Sequence, residues 1–261
     1  MPRKKYPLIY FVTLLFMGLT FQVQAVSKPV GTPILMLMQD SQPKYILQRT
    51  GVSGLCGELY LAIQRHLLLE SIESNIVEQF LPIKRILTMV EHEEDYIFCG
   101  AGRDKMRDRR FAYAKTPVYH VSNVLAVHQK DHSDPESIRD IAKNDGIVGA
   151  LYGTSSADFL KAELGSEQVN DTFTDIESGL KMVAKPPYQI RYFYYHDLGL
   201  NYLTKESGLP LRVSSTRFRT VPQWLIYSKK MDRKKARALE RVLQNMKRSG
   251  ELESIVGRYI F

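Results

Sequence analysis

Asp95–Tyr119, DYIFCGAGRDKMRDRRFAYAKTPVY, is the stretch from which the fold can be read. A short apolar strand, Tyr96–Phe98, breaks at a loop of small residues, Cys99-Gly100-Ala101-Gly102. A charged turn carrying Arg107 follows, then Tyr113-Ala114 and Pro117-Val118-Tyr119. Small residues let a ligand approach the backbone closely. An arginine just beyond them offers a planar fork that fits a carboxylate. The same residues also read as a solvated basic turn between two strands, and the local pattern leaves both readings open.

Working outward, strands and helices alternate. Ile34–Met38 is an apolar strand, and Gln39–Ser53 reads as a loop containing Tyr45. From Gly54 to Leu69 the residues Leu55, Leu59, Ala62, Ile63 and Leu67 fall at helical spacing. Asn75–Leu81 is a strand, Pro82 marks a helix start, and Ile83, Ile86, Leu87 and Val90 form that helix's apolar face. The order β-α-β-α-β predicts a mostly parallel sheet covered by helices. After the strand Ser122–His128 the pattern restarts. Gly146–Ala150 is a strand, and Gly153-Thr154-Ser155 leads into a helix through Leu164. Ile176–Ala184 is a helix, Gln189–Tyr194 an aromatic strand, His196–Lys205 a helix and Val221–Tyr227 a strand. Asp232–Phe261 is mostly helical and broken at Ser249-Gly250.

The first-lobe order of strand, small-residue loop, Arg107, Tyr113 and Pro117-x-Tyr119 resembles the signature of family 3 extracellular solute-binding proteins. These are the periplasmic amino-acid-binding proteins of ABC importers and their sensor relatives. Gly146-Ile-Val-Gly-Ala-Leu-Tyr-Gly-Thr-Ser-Ser is similar to the family's second-lobe motif, and Met246–Tyr259 to its closing helices. The resemblance covers nearly all of the chain beyond the leader, as a pattern rather than a run of identities. It implies a type II periplasmic-binding-protein-like α/β fold, with the ligand cleft between two lobes. One lobe would comprise residues 26–121 and 225–261, the other residues 122–224. It further implies a ligand carboxylate held by Arg107 and by the helix start at Gly153, Thr154 and Ser155. Gly100, Gly102, Tyr45 and Arg85 are further candidates for ligand contact. As an ordinary alternative, Gly-Thr-Ser before a helix is an N-cap, and Arg85 is a solvent-facing helix residue.

The sequence departs from the family where the ligand's α-amino group is usually taken by an aspartate. The corresponding stretch is YQIRYFYYHD, residues 188–197, with Arg191 near the place of an acid and His196 or Asp197 as candidates. A ligand other than a standard α-amino acid fits that departure. The expected role is capture of a small carboxylate-bearing solute for an inner-membrane ABC permease or a sensor, by a monomer without cofactor or metal. The alternative is a periplasmic enzyme on the same scaffold, similar to cyclohexadienyl dehydratases, which needs a cleft-facing acid with a raised pKa.

Arg3, Lys4 and Lys5, the apolar run Leu8–Phe21 and Val23-Gln24-Ala25 read as a signal peptide, residues 1–25, cut after Ala25. An uncleaved anchor is the alternative. Export to the periplasm is expected. Cleavage lowers the formal net charge from +8 to +5, because those three basic residues are the leader's only charged side chains (8 − 3). A modestly basic exported domain with no basic stripe between aromatics argues against a nucleic-acid partner. Two cysteines, Cys56 and Cys99, suggest one disulfide in an oxidising compartment. Two buried free thiols would be the other outcome. His128 and His132 are four apart, but Asp131-His-Ser-Asp-Pro reads as a loop, so helical metal-ligand geometry is not expected.

Overall fold

The protein is described from a computed structural model, which covers Met1 and residues 31–143, 146–185 and 189–259. The leader and its cleavage point lie outside this range, Met1 aside. Strand β1 (Ile34–Gln39) is followed by a small hairpin, β2 (Ile46–Gln48) and β3 (Gly51–Ser53). Then come α1 (Leu55–Leu69), β4 (Ser74–Leu81), α2 (Ile83–His92) and β5 (Tyr96–Ala101). A short helix α3 (Lys105–Arg110) and strand β6 (Phe111–Tyr113) lead to the long strand β7 (Tyr119–His128). The second unit comprises α4 (Ile138–Lys143), β8 (Val148–Leu151), α5 (Ser155–Leu164), β9 (Val169–Phe173) and α6 (Ile176–Ala184). It continues with β10 (Tyr192–His196), α7 (Asp197–Ser207) and β11 (Leu211–Val213). The chain returns along β12 (Arg219–Ser228) and closes with α8 (Arg233–Ser249) and α9 (Glu251–Val256).

One curled sheet runs β4-β1-β5-β12-β7-β10-β8-β9. Strands β4, β1 and β5 are parallel, as are β10, β8 and β9. Between these groups run β12 and β7, antiparallel to each other. Strand β12 changes neighbours part-way along: Arg219–Gln223 pair with β7, whereas Trp224–Tyr227 pair with β5. The two halves of the sheet are therefore joined by a continuous strand, β12.

The cores divide the same way. Helices α1, α2, α8 and α9 pack with β1 and β5 into one large apolar cluster. On β10, Phe193 and Tyr195 belong to a second cluster, and Tyr192 and Tyr194 to a third. Alternate residues of a strand face opposite sides, so the second half of the sheet is covered on both faces. All the apolar positions read from helical spacing on α1 and α2 are buried.

Three local readings are corrected. The small-residue loop is strand as far as Ala101, because Leu225 and Trp224 of β12 pair with Cys99 and Ala101. The charged turn is a helix: Asp104 caps α3, its Oδ1 accepting the Arg107 N–H at 2.8 Å. The predicted loop Gln39–Ser53 contains the β2–β3 hairpin. Cys56 and Cys99 are joined as a disulfide, with both residues fully buried.

Candidate functional site

Capping of α3 aims Arg107 inward. Its Nε meets Asp104 Oδ2 at 3.3 Å, which fixes the plane of the guanidinium. Nη1 donates to the Gly102 carbonyl at 3.3 Å and Nη2 to the Gly153 carbonyl at 3.2 Å. Gly102 follows β5 in the first half of the fold, and Gly153 follows β8 in the second. The arginine, only 7 % exposed, thus lies across the gap between the halves.

Behind it is an inner cavity of about 40 Å³. Arg107, Gly100, Gly102, Thr154, Ser155 and His196 all line it, so most of the predicted site residues meet there. Gly153 lines the outer side of Arg107 instead. Gly100 has φ +88°, and a Cβ on it would lie 2.4 Å from the Tyr119 hydroxyl and 2.8 Å from Lys44 Cδ. Only glycine fits that place. Thr154 caps α5, its hydroxyl accepting the Ala157 N–H at 3.2 Å and donating to the Leu151 carbonyl at 2.8 Å. The N-cap is therefore real, and the hydroxyl already has both partners.

Three predicted contacts lie elsewhere. Tyr45 is fully buried beneath the cavity, its hydroxyl donating to the Cys99 carbonyl at 2.7 Å beside Tyr60. Arg85 is on the exposed side of α2; Lys84, one residue earlier, faces the cleft mouth and lies over the Tyr152 ring. Asp197 accepts the Ser122 and Leu198 N–H groups at 3.0 and 2.9 Å and pairs with Arg217 at 3.3 Å. A carboxylate at the start of α7 is well placed to hold these donors, and that turns it away from the inner cavity. Arg191 likewise pairs with Asp131, at 2.8 Å from Nε.

Lys44 and Asn123 are the site residues that sequence reading missed. Lys44 Nζ donates to Gln39 Oε1 at 2.8 Å and sits 5.1 Å from the Phe98 ring centre. Complete burial lowers its pKa to about 7. Burial also holds His196 well below its usual value, with the nearby Lys44 cation adding to the effect. The neutral ring uses Nδ1 to accept the Gly199 N–H at 2.9 Å, which leaves its proton on Nε2. Asn123, in the middle of β7, donates to Ser156 Oγ at 2.9 Å, while its Oδ1 is buried without a partner among the described residues. The signals for both were present: a lysine between Pro43 and Tyr45, and one amide directly before the apolar run Val124–Val127.

Outside Arg107 the cleft widens to a mouth of about 530 Å³. Lys84, Lys105, Arg110 and Arg219 line it, against Asp104 and Asp158. Arg110 is held by Glu91 at 2.6 Å.

No protein-family profile and no curated protein sequence matches the chain. Solved structures do. The chain is similar to an amino acid ABC transporter substrate-binding protein of Streptococcus pneumoniae bound to L-arginine, at TM-score 0.72 and 19 % identity, covering 87 % of this chain and 93 % of that one. It is similar to an ancestral amino acid-binding protein described as a precursor of cyclohexadienyl dehydratase, at TM-score 0.73 and 17 % identity, covering 88 % and 96 %. A histidine kinase sensor domain with similarity to periplasmic binding proteins matches at TM-score 0.75 and 13 % identity, again over 88 % and 96 %. These likenesses establish the two-lobed periplasmic-binding-protein fold. Among the described residues, no helix is long and apolar enough to cross a membrane.

Proposed function

We propose that this chain is an exported solute-binding protein whose lobes, residues 26–121 with 225–261 and residues 122–224, close on a small carboxylate-bearing solute. The reading is carried by Arg107, a buried cation whose donors reach carbonyls on both sides of the cleft. A carboxylate entering the cleft would take over those donors in a bidentate pair. It would thereby link Arg107 to the N-terminal end of α5. Contacts to both halves in the closed form alone are what bias a hinge toward closure. The closed form would then be read by an inner-membrane ABC permease or a sensor, the two kinds of system represented among the similar structures.

A lyase resembling cyclohexadienyl dehydratase is the second reading, and the similar ancestral protein keeps it in view. It needs an acid facing the cleft. Among the described residues no Asp or Glu lines the inner cavity, which favours binding over catalysis. A thermal-shift screen of amino acids, polyamines and small organic acids on the mature chain tests the proposal. A true ligand raises Tm progressively with concentration. A screen in which no class does so would sink it.

A further inference from the structure

We infer that the inner cleft takes a small organic anion without an ammonium group, a short dicarboxylate or its hydroxy or oxo derivative, with one carboxylate on Arg107 and the second at Lys44. This rests on the solute-binding reading above and specifies its substrate class.

The first observation is the charge of the lining. Arg107 and Lys44 line the cavity together with His196, and no carboxylate among the described residues does. Two acids close by are engaged elsewhere, Asp104 at Arg107 Nε on the mouth side and Asp197 at main-chain N–H groups and Arg217, and Asp40 lines a separate pocket with Asp175 and Glu177. An ammonium group entering this space would be desolvated beside cations with no counter-charge. An α-amino acid meets that obstacle, and the corresponding diacid does not.

The second observation is spacing. Lys44 crosses Gly100, whose absent Cβ would sit 3.4 Å from Nζ, and Arg107 donates to the carbonyl of Gly102. Gly100 and Gly102 are two residues apart at the end of β5, so the two cations meet neighbouring positions of one chain segment. A short diacid bridges such a pair once the halves part, because the roughly 40 Å³ between them in this arrangement is too small to hold it. The third is Asn123, whose buried amide oxygen has no partner among the described residues and lies in the same lining. A hydroxyl on the solute would satisfy it. The mouth agrees in sign, since its cations outnumber its acids, which favours entry of anions.

Lys44 also gives the binding a proton signature. The titratable and charged groups around it are Tyr45 on its own segment, Tyr119 of β7, Tyr195 and His196 at the end of β10, and Arg107 of α3. None is an anion at neutral pH. A carboxylate placed there would raise the lysine from about 7, so that binding above neutral pH takes up a proton.

The test uses matched pairs that differ only in the α-ammonium: succinate with aspartate, and glutarate with glutamate. Titration calorimetry on the mature chain should show a diacid binding at least about tenfold tighter than its amino counterpart. At about pH 8, titrations in buffers of different ionisation enthalpy should show uptake approaching one proton. Lys44→Met should weaken the diacid about tenfold or more while leaving propionate binding little changed. Amino acids that bind as tightly as their diacids would overturn the inference and leave the solute-binding reading standing. So would diacid binding without proton uptake, a readout independent of whether the variant folds. If no member of either pair binds, the inference fails, and the broader thermal-shift screen alone decides whether the chain binds solutes.

Discussion

Arg107 Nη2 donates to the main-chain carbonyl of Gly153 at 3.2 Å, so a side chain of the first sheet half is hydrogen-bonded to the backbone of the second. The contact uses the very donors that a carboxylate would take. Ligand entry at Arg107 is therefore an exchange of acceptors, and the fork geometry of arginine suits the exchange better than a lysine would.

Arg107→Ala should weaken binding of a carboxylate solute by about 2–5 kcal/mol, the range for a buried charge-assisted contact. In a solvated turn its loss would leave stability unchanged. Buried and bonded as it is, removal should also cost about 1–3 kcal/mol of folding stability. Calorimetry and urea unfolding separate the two effects. Unchanged affinity would move the carboxylate site, with Arg110 the next candidate.

Lys44 sets a pH dependence of stability. Its pKa is about 7 in the fold against 10.5 for the free side chain. Between those values the unfolded chain holds a proton that the folded chain has shed, so stability rises with pH. The penalty for burying the charge is complete below about 7 and is relieved as pH climbs toward 10.5. Between about pH 6 and pH 9, wild type should gain on the order of 2–3 kcal/mol relative to Lys44→Met. Parallel profiles for the two proteins would show that Lys44 does not titrate in this window.

The Cys56–Cys99 bond spans a sequence separation of 43 and ties the first turn of α1 to β5 beneath the cavity. Loop-closure entropy predicts about 4 kcal/mol of stabilisation for a ring of that size. Non-reducing peptide mapping of the protein produced in an oxidising compartment should recover the linked pair. The double variant Cys56→Ala with Cys99→Ala should unfold at markedly lower urea. Two thiols open to alkylation under oxidising conditions would overturn this.

Much of this architecture is legible in the sequence because burial periodicity is a local signal. Leu55, Leu59, Ile63 and Leu67 announce α1, and Ile176–Ala184 is recovered to the residue. What escaped depends on distant pairing or on neutralised polarity. Cys99–Ala101 is strand only because β12 returns beside it, more than a hundred residues later in the chain. Arg107 reads as a turn residue until Asp104 is seen to cap α3. Tyr45 and Asp197 have the right chemistry for a ligand, but the fold consumes it, one in a tyrosine pair under β5 and the other at the head of α7. Lys44 is the reverse case. A lysine is expected at the surface, and only the assembled cavity shows it stripped of water.

Gly102 and Ser155 meet where the two halves touch. A Cβ on Gly102 would lie 2.5 Å from Ser155 Oγ and 3.3 Å from Ser155 Cβ. The hydroxyl can rotate away, but the Cβ–Cβ approach remains inside the ordinary carbon contact distance of about 3.5–4.0 Å. Gly102→Ala should therefore penalise the closed arrangement and leave an open one untouched. Overpacking of this kind costs about 1–3 kcal/mol, which weakens a ligand that needs closure roughly 5- to 150-fold. Small-angle scattering at saturating ligand should show a radius of gyration nearer that of the ligand-free protein. The compensating double variant, Gly102→Ala with Ser155→Gly, removes the opposing Cβ and should restore both compaction and affinity, a coupling expected only of residues in direct contact. If the single variant compacts as wild type does, the halves do not close through this contact. The start of α5 then serves only as a helix cap, with recognition left to Arg107 and Lys44.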